Sequence, residues 1–341
     1  MKCSIDGTSG PVARKTVLFR VDGGCVKDVG TGHVARALLL ASELQGGHAV
    51  SFASLDKPEY EYGHARIRRH GHGLTLLPEA GYPDALRQLV TDVRPDIVVC
   101  DLFEYADEDL RAAASSGAPL VTFDHVDATR RYSTYPINAV VPRNGGSYEG
   151  PEYVVIPPPS IRAFSEVPRR IFVSFGGFDC AGLTLKVATL LARLGLPLHV
   201  DVVVSDLYAD LARLKALEHA SRTRIVVHVQ PVNFEELLGE SDIALVSGGL
   251  TLFQALAAGS AVVVISQYEH QNQTVANFEQ SSAFVNLGNA EQADEHAIAD
   301  ALSRLVTDVE RRRTLRRQAT MLVDGQGLAR VVRLIDDALQ G

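Results

Sequence analysis

Three observations on the sequence predict an α/β protein built from two consecutive doubly wound halves. Apolar, β-branched runs alternate with helical stretches along the chain. A strand that runs directly into a glycine-rich turn and then a helix occurs twice, first at Thr16 and again at Ile171. Between the two lies a proline-rich stretch, and the 341-residue length exceeds the roughly 250–300 residues at which a single core stops growing.

The first half opens with Thr16-Val17-Leu18-Phe19-Arg20-Val21, a short β-branched and aromatic run read as a strand. A loop containing Gly23, Gly24, Gly30 and Gly32 follows, and then Val34 to Ala41, a good helix former that stops at Gln45-Gly46-Gly47. Further strands are expected at Ala49–Ala53, Ile97–Cys100 and Leu120–Phe123, with helices between them. Buried parallel strands separated by helices give this pattern.

From Val154 to Pro168 the chain passes through Pro157-Pro158-Pro159, where helix and inner-strand hydrogen bonds are denied, so this stretch reads as the interdomain linker. The pattern then restarts with a strand at Ile171–Phe175, the turn Gly176-Gly177-Phe178-Asp179 and a helix from Leu183 to Leu194. Strands follow at Leu198–Val204, Ile225–His228, Ile243–Val246 and Ala261–Ile265, and helices close the chain. The expected division is a flexible tail over 1–15, an N-terminal domain over 16–160, a C-terminal domain over 165–325 and a terminal helix over 326–341.

With 46% hydrophobic and 22% charged residues, the composition is that of an ordinary globular chain and excludes a fibrous or disordered class. A formal charge of −8 argues against general nucleic-acid binding while leaving room for a small anionic ligand in a local pocket. Cys3, Cys25, Cys100 and Cys180 form no CxxC pair and read as reduced, mostly buried thiols. No cofactor and no metal site are expected. The N-terminus lacks the apolar core of a secretory signal and no apolar run is long enough to span a bilayer, so the expected location is the cytoplasm.

Four loops carry the residue types that chemistry needs. In the first, Asp22 is followed by Gly30-Thr31-Gly32-His33 and Arg36 at a strand-to-helix turn, where glycines allow close backbone approach and free N–H groups favour negative charge. His33, at the start of the helix, carries the side chain best suited to proton exchange near neutral pH, although packing at a helix end is the commoner role for such a residue. The spacing is not GxGxxG, so a dinucleotide fingerprint is not met. The second loop, Ser174 to Asp179 with Gly176 and Gly177, is either a tight turn or a phosphate contact.

The third loop runs from Ser247 through Gly248, Gly249, Leu250 and Thr251 to Gln254, closing at Gly259. Its helix-start amides and the Thr251 hydroxyl suit a diphosphate, Gln254 suits ribose hydroxyls, and an ordinary capped helix is the alternative. The fourth, Glu269-His270-Gln271-Asn272-Gln273, follows a strand end and by itself reads as a solvated loop. Asp101 and Asp124-His125 each close a strand, where they either face the cleft or simply terminate the strand or cap a helix. His64, His70 and His72 read as surface loop, and the run Arg311-Arg312-Arg313 with Arg316-Arg317 as a solvated helix face.

Together and in this order these segments resemble the GT-B superfamily. The match is to the branch holding the UDP-sugar hydrolases of the pseudaminic acid pathway and the spore-coat-polysaccharide glycosyltransferase-like proteins. Its most specific piece is Arg20-x-Asp22 followed by Gly30-Thr31-Gly32-His33-x-x-Arg36, and the segment from Ser247 to Gln271 is similar to the nucleotide-binding half of family-28 glycosyltransferases.

The resemblance implies a GT-B fold, two facing Rossmann-like domains with an interdomain cleft. It implies His33 with Asp22 in the catalytic role and Gly30, Thr31, Gly32, Arg36, Asp101 and Phe103 around the substrate. The nucleotide falls to Gly176, Gly177, Ser247, Gly248, Gly249, Leu250, Thr251, Gln254, His270 and Gln271. Phe103 stands where the hydrolases carry tyrosine, His270 where they carry asparagine, and Gln254 where the ribose-contacting residue is usually glutamate.

Those departures favour a metal-independent glycosyltransferase using a UDP-sugar donor and a small-molecule acceptor. A nucleobase, as in the cytosylglucuronate-forming enzymes of nucleoside-antibiotic pathways, is one example of such an acceptor. The alternatives are a UDP-sugar hydrolase and a non-catalytic nucleotide-sugar sensor.

Overall fold

A computed structural model describes residues 14–24, 29–125, 131–141 and 145–340. The tail expected over the first residues, and with it Cys3 and Cys25, lies almost wholly outside them. Seven parallel strands form the first sheet: β1 (Thr16–Val21), β2 (Ala49–Leu55), β3 (Gly73–Leu77), β4 (Ile97–Asp101), β5 (Leu120–Phe123), β6 (Tyr135–Asn138) and β7 (Tyr148–Glu149). Their order is β3-β2-β1-β4-β5-β6-β7.

Six parallel strands form the second: β8 (Arg170–Ser174), β9 (His199–Val204), β10 (Arg224–Val229), β11 (Ile243–Val246), β12 (Ala261–Ser266) and β13 (Phe284–Asn289), ordered β10-β9-β8-β11-β12-β13. Strands β4, β5, β11 and β12 are buried along their whole length, as strands covered by helices on both faces must be.

Helices of the first half are α1 (Gly32–Leu44), α2 (Glu61–Arg69), α3 (Tyr82–Val93) and α4 (Asp107–Ala113). The second half carries α5 (Leu183–Leu194), α6 (Leu211–Ala220), α7 (Phe234–Gly239), α8 (Leu250–Ala258), α9 (Glu269–Ala276), α10 (Glu295–Thr307) and α11 (Val309–Leu322). The last helix, α12 (Gly327–Gln340), returns to the first half, where Leu328, Val331, Ile335 and Leu339 join the core formed by Val17, Phe19, Leu40 and Leu44.

In each sheet the direction of strand addition reverses once, between β1 and β4 in the first and between β8 and β11 in the second. A crevice opens at the carboxyl ends of the strands at such a reversal. The loops after β1, β4, β8 and β11 are therefore the ones brought to the two crevices.

Several sequence expectations differ from the structure. The stretch Glu269–Gln273 is the start of helix α9 and not a loop; its polar composition leaves a single buried residue, Val275, and so no apolar stripe to read. His64 lies in α2, fully buried, where Nε2 bonds Ser54 Oγ at 3.0 Å. The arginine run is a solvated face only in part, with Arg311, Arg313 and Arg317 exposed. Arg312 is buried and donates to the carbonyls of Leu305 and Glu166, while Arg316 donates to the Arg162 carbonyl, so α11 grips the linker. Cys100 is buried as expected, but Cys180 is exposed.

Candidate active site

β1 carries the chain into the loop that begins at Asp22. Gly24 sits so tightly beneath the turn before α2 that a Cβ there would fall 2.0 Å from the Glu59 carbonyl oxygen. Gly30 takes a left-handed backbone (φ 61°) with open space around it, which lets the chain reverse into α1. Thr31, the residue before α1, makes no side-chain cap, and no acidic residue lies in the first turn of the helix.

His33 is the second residue of α1, and its Nδ1 lies 2.6 Å from Asp101 Oδ1 at the end of β4. An ionised carboxylate only accepts, so Nδ1 carries the proton and Nε2 is left as the basic nitrogen. Burial by itself would raise the Asp101 carboxyl, but Arg36 and His33 outweigh it and bring it down to about 2.

Arg36, one turn further along α1 and expected to touch substrate, is bonded to two carboxylates of the first half. It is 6% exposed, with Nε and Nη2 each 2.7 Å from one oxygen of Asp101 and Nη1 2.6 Å from Asp124 Oδ2. All three guanidinium nitrogens are engaged inside the protein. Asp124 takes a left-handed backbone (φ 51°), and its Oδ1 accepts from the amides of Ala139 and Val140.

Asp22, expected beside His33 in a catalytic role, is likewise engaged elsewhere. Its Oδ2 accepts from Arg20 Nη2 at 2.6 Å, and its Oδ1 accepts from Ser54 Oγ and the Leu55 amide, each at 2.9 Å. Burial disfavours its charged form, yet Arg20 and these donors hold the carboxyl below the usual range. Both oxygens are bonded within the protein, and through them Asp22 fixes the loop to β2.

The second half supplies the opposite wall. Ser247 is buried at the end of β11, and Gly248 is required by packing: a Cβ there would lie 2.8 Å from Val275 Cγ2 and 2.9 Å from the Gln271 carbonyl. Gly249, by contrast, meets only Gln271 Nε2 at 3.9 Å and opens to the cleft. α8 then begins at Leu250 and Thr251 with no side-chain cap and no acidic residue in its first turn. Its start faces that of α1, since a Cβ on Gly32 would lie 3.8 Å from Leu250 Cδ1. Gln254 lines a small cleft between α7, α8 and the linker with Glu235, Leu238 and Pro157.

The turn after β8 is tied to the helix that follows it and to a neighbouring strand end. Asp179 already accepts from the amides of Leu183 and Thr184, capping α5. The Gly177 carbonyl accepts from Ser205 Oγ, and a Cβ on Gly177 would lie 3.4 Å from Thr31 Oγ1 across the cleft. Gly177 thus lies against the first half, and two of the amides at the start of α5 are taken by Asp179.

Phe103, 39% exposed, stands edge-on to His270 with ring centroids 5.4 Å apart, and His270 stacks on Tyr268. Two of the three positions at which this chain departs from the family pattern therefore touch each other. Gln271 Oε1 accepts from the Gln267 amide, holding α9 against the end of β12. Three cleft contacts escaped the sequence reading: Tyr62 with Gln230, Asn277 with the Val140 carbonyl, and the Cys180–Tyr268 pair. Gln230 follows a strand end and was open to that argument; Asn277 carries no local signal.

No family model matches the chain. The spore coat polysaccharide biosynthesis protein SpsG of Bacillus subtilis (strain 168) is 26% identical over 338 residues, covering 93% of this chain and 96% of that protein. The crystal structure of Acinetobacter baumannii MurG superposes with a TM-score of 0.71 at 17% identity, covering 95% of this chain and 99% of the other. Spinosyn rhamnosyltransferase SpnG, solved in complex with thymidine diphosphate, superposes with a TM-score of 0.57 at 16% identity, covering 94% and 100%. By its two parallel sheets and these likenesses the chain has the GT-B fold, and it is related over nearly its whole length to a protein of spore-coat polysaccharide biosynthesis.

Proposed function

We propose that this chain is a glycosyltransferase that moves the sugar of a UDP-sugar onto a small-molecule acceptor, with His33 as the base. The observation that carries the reading is the meeting of α1 and α8, two uncapped helix starts facing each other beside an imidazole held by Asp101. Each helix start carries about half a positive charge. Two such ends in one cleft repel each other, and a diphosphate between them relieves the repulsion.

In the proposed step the acceptor gives its proton to His33 Nε2 and bonds to the anomeric carbon, while the bond from that carbon to the diphosphate oxygen breaks. UDP leaves with the electron pair, its charge met by the amides at Gly249 and Leu250 and by the Thr251 hydroxyl. No divalent cation enters this scheme, so a chelator is expected to leave turnover unchanged. Support for a nucleoside diphosphate and for sugar transfer comes from SpnG, a rhamnosyltransferase solved with thymidine diphosphate, and for a place in polysaccharide synthesis from the SpsG likeness. The uridine rests on the motif resemblance.

UDP release from a panel of UDP-sugars, measured with and without acceptors, tests the proposal. Acceptor-dependent release is the expected result. Full turnover without acceptor would replace it with a hydrolase, and tight UDP binding without any release would replace it with a sensor. His33→Ala is expected to keep UDP binding and to lose about 10²- to 10⁴-fold in turnover.

A further inference from the structure

We infer that Arg36 and Asp124 are positioning residues for His33, acting through Asp101. The inference rests on the reading of His33 as the reacting group. Asp101 Oδ1 is shared: it accepts from His33 Nδ1 at 2.6 Å and from Arg36 Nη2 at 2.7 Å, while Oδ2 accepts from Arg36 Nε at 2.7 Å. The direction of the carboxylate therefore sets the direction of the imidazole, and the planar guanidinium fork sets the direction of the carboxylate.

The fork is itself held at three points. Nη1 reaches Asp124 Oδ2 at 2.6 Å, the guanidinium carbon lies 4.5 Å from the Phe123 ring centroid, and the stem belongs to α1, the same helix that carries His33. Asp124 in turn is anchored by the Ala139 and Val140 amides, at 2.9 and 3.0 Å. The Val140 carbonyl accepts from Asn277 Nδ2 of the second half at 3.1 Å. A continuous hydrogen-bonded path thus runs from the imidazole to an interdomain contact. Lysine cannot replace this arginine, because a single ammonium cannot hold both oxygens of Asp101 in one plane while also reaching Asp124.

The test uses the full chain with ¹⁵N-labelled histidine, comparing wild type, Arg36→Met, Arg36→Lys and Asp124→Asn. In wild type the His33 ring nitrogens are expected to report one fixed tautomer, with the proton on Nδ1. Arg36→Met is expected to lose that signature and to lower kcat roughly 10- to 100-fold, as small misplacements of a reacting group do. The UDP dissociation constant should stay within about twofold, since ground-state binding of the donor is not what the fork supports.

Arg36→Lys should fail to restore either readout. Asp124→Asn keeps the shape of the side chain, is expected to give a smaller change of the same kind, and serves if Arg36→Met does not fold. Unchanged ring-nitrogen signals in Arg36→Met, or in Asp124→Asn if only that variant folds, would overturn the inference. So would a loss of UDP affinity that matches the loss of kcat, which would make Arg36 a donor ligand. The spectra need no substrate. A tautomer controlled by Arg36 in a protein that turns over no UDP-sugar would uphold this inference and sink the proposed reaction.

Discussion

Asp101 accepts from His33 and Arg36 through the same oxygen and has no exposure of its own, so its charge is tied to the intact site. Its carboxyl lies at about 2 in the folded protein, below the ordinary value near 3.8. A carboxyl depressed by folding contributes its stabilisation above the unfolded value, and that contribution is lost as pH falls through the folded one. The difference corresponds to about 2 kcal/mol, lost between roughly pH 4 and pH 2. Urea midpoints measured across that range should fall more steeply for wild type than for Asp101→Asn. Parallel slopes would show that the carboxylate is not held as described.

Among elements, the contrast lies between helix starts that are closed and helix starts that are open. α10 and α11 begin under Asp294 and Asp308, whose side chains accept from Ala297 and Arg311 amides at 2.7 and 2.8 Å, and α5 begins under Asp179. α1 and α8, the two that meet in the cleft, have neither cap nor acidic first turn, and the same holds for α6 after Asp210. Two adjacent glycines separate packing from binding at α8. Gly248→Ala drives a Cβ into Val275 and the Gln271 carbonyl, and is expected to cost about 1–3 kcal/mol of stability, read as a lowered urea midpoint. Gly249→Ala meets no backbone and is expected to leave stability within about 0.5 kcal/mol while weakening UDP binding measured by calorimetry, because the methyl enters the space before the helix start. Equal effects of the two substitutions on UDP affinity would remove the distinction.

The open loops were legible in the sequence because glycines after an apolar run mark them. Their division of labour was not. That Gly248 is held by α9 while Gly249 faces the cleft depends on residues that follow only after another strand. The internal partners of Asp22, read as catalytic, and of Arg36, read as a substrate contact, were hidden for the same reason: charge at a strand or helix end is visible, whereas partners such as Ser54 and Asp124 are brought in by the fold. The two-sheet architecture was readable because buried parallel strands are continuous apolar runs. β3, which contains glycine and threonine, and the short β7 lacked that signature.

At the scale of the whole molecule the chain crosses between its halves twice, and the second crossing makes the first half depend on the last helix. After α11 the chain turns at Gly325 and enters α12, whose Leu328, Val331, Ile335 and Leu339 lie on one face and are buried against the first half. The approach is close, since a Cβ on Gly327 would fall 2.1 Å from the Val154 carbonyl, and His48 adds a bond to Asp336 at 3.1 Å. Burial of four such side chains contributes roughly 6–12 kcal/mol at about 1.5–3 kcal/mol each, an upper estimate because unfolded chains are partly compact. That is comparable with the roughly 5–15 kcal/mol that stabilises an ordinary domain. A chain ending at Gln326 is therefore expected to lose the order of its first half although α12 contributes no residue to the proposed site. The second half has its own core around Ile171, Val200, Leu245 and Val263 and should keep its melting transition, but bind UDP more weakly because the start of α1 is lost from the cleft. Scanning calorimetry with UDP titration separates the outcomes. Loss of one transition with weakened nucleotide binding is the expected result, and an endotherm unchanged from the full chain would show that α12 is not part of the first half's core.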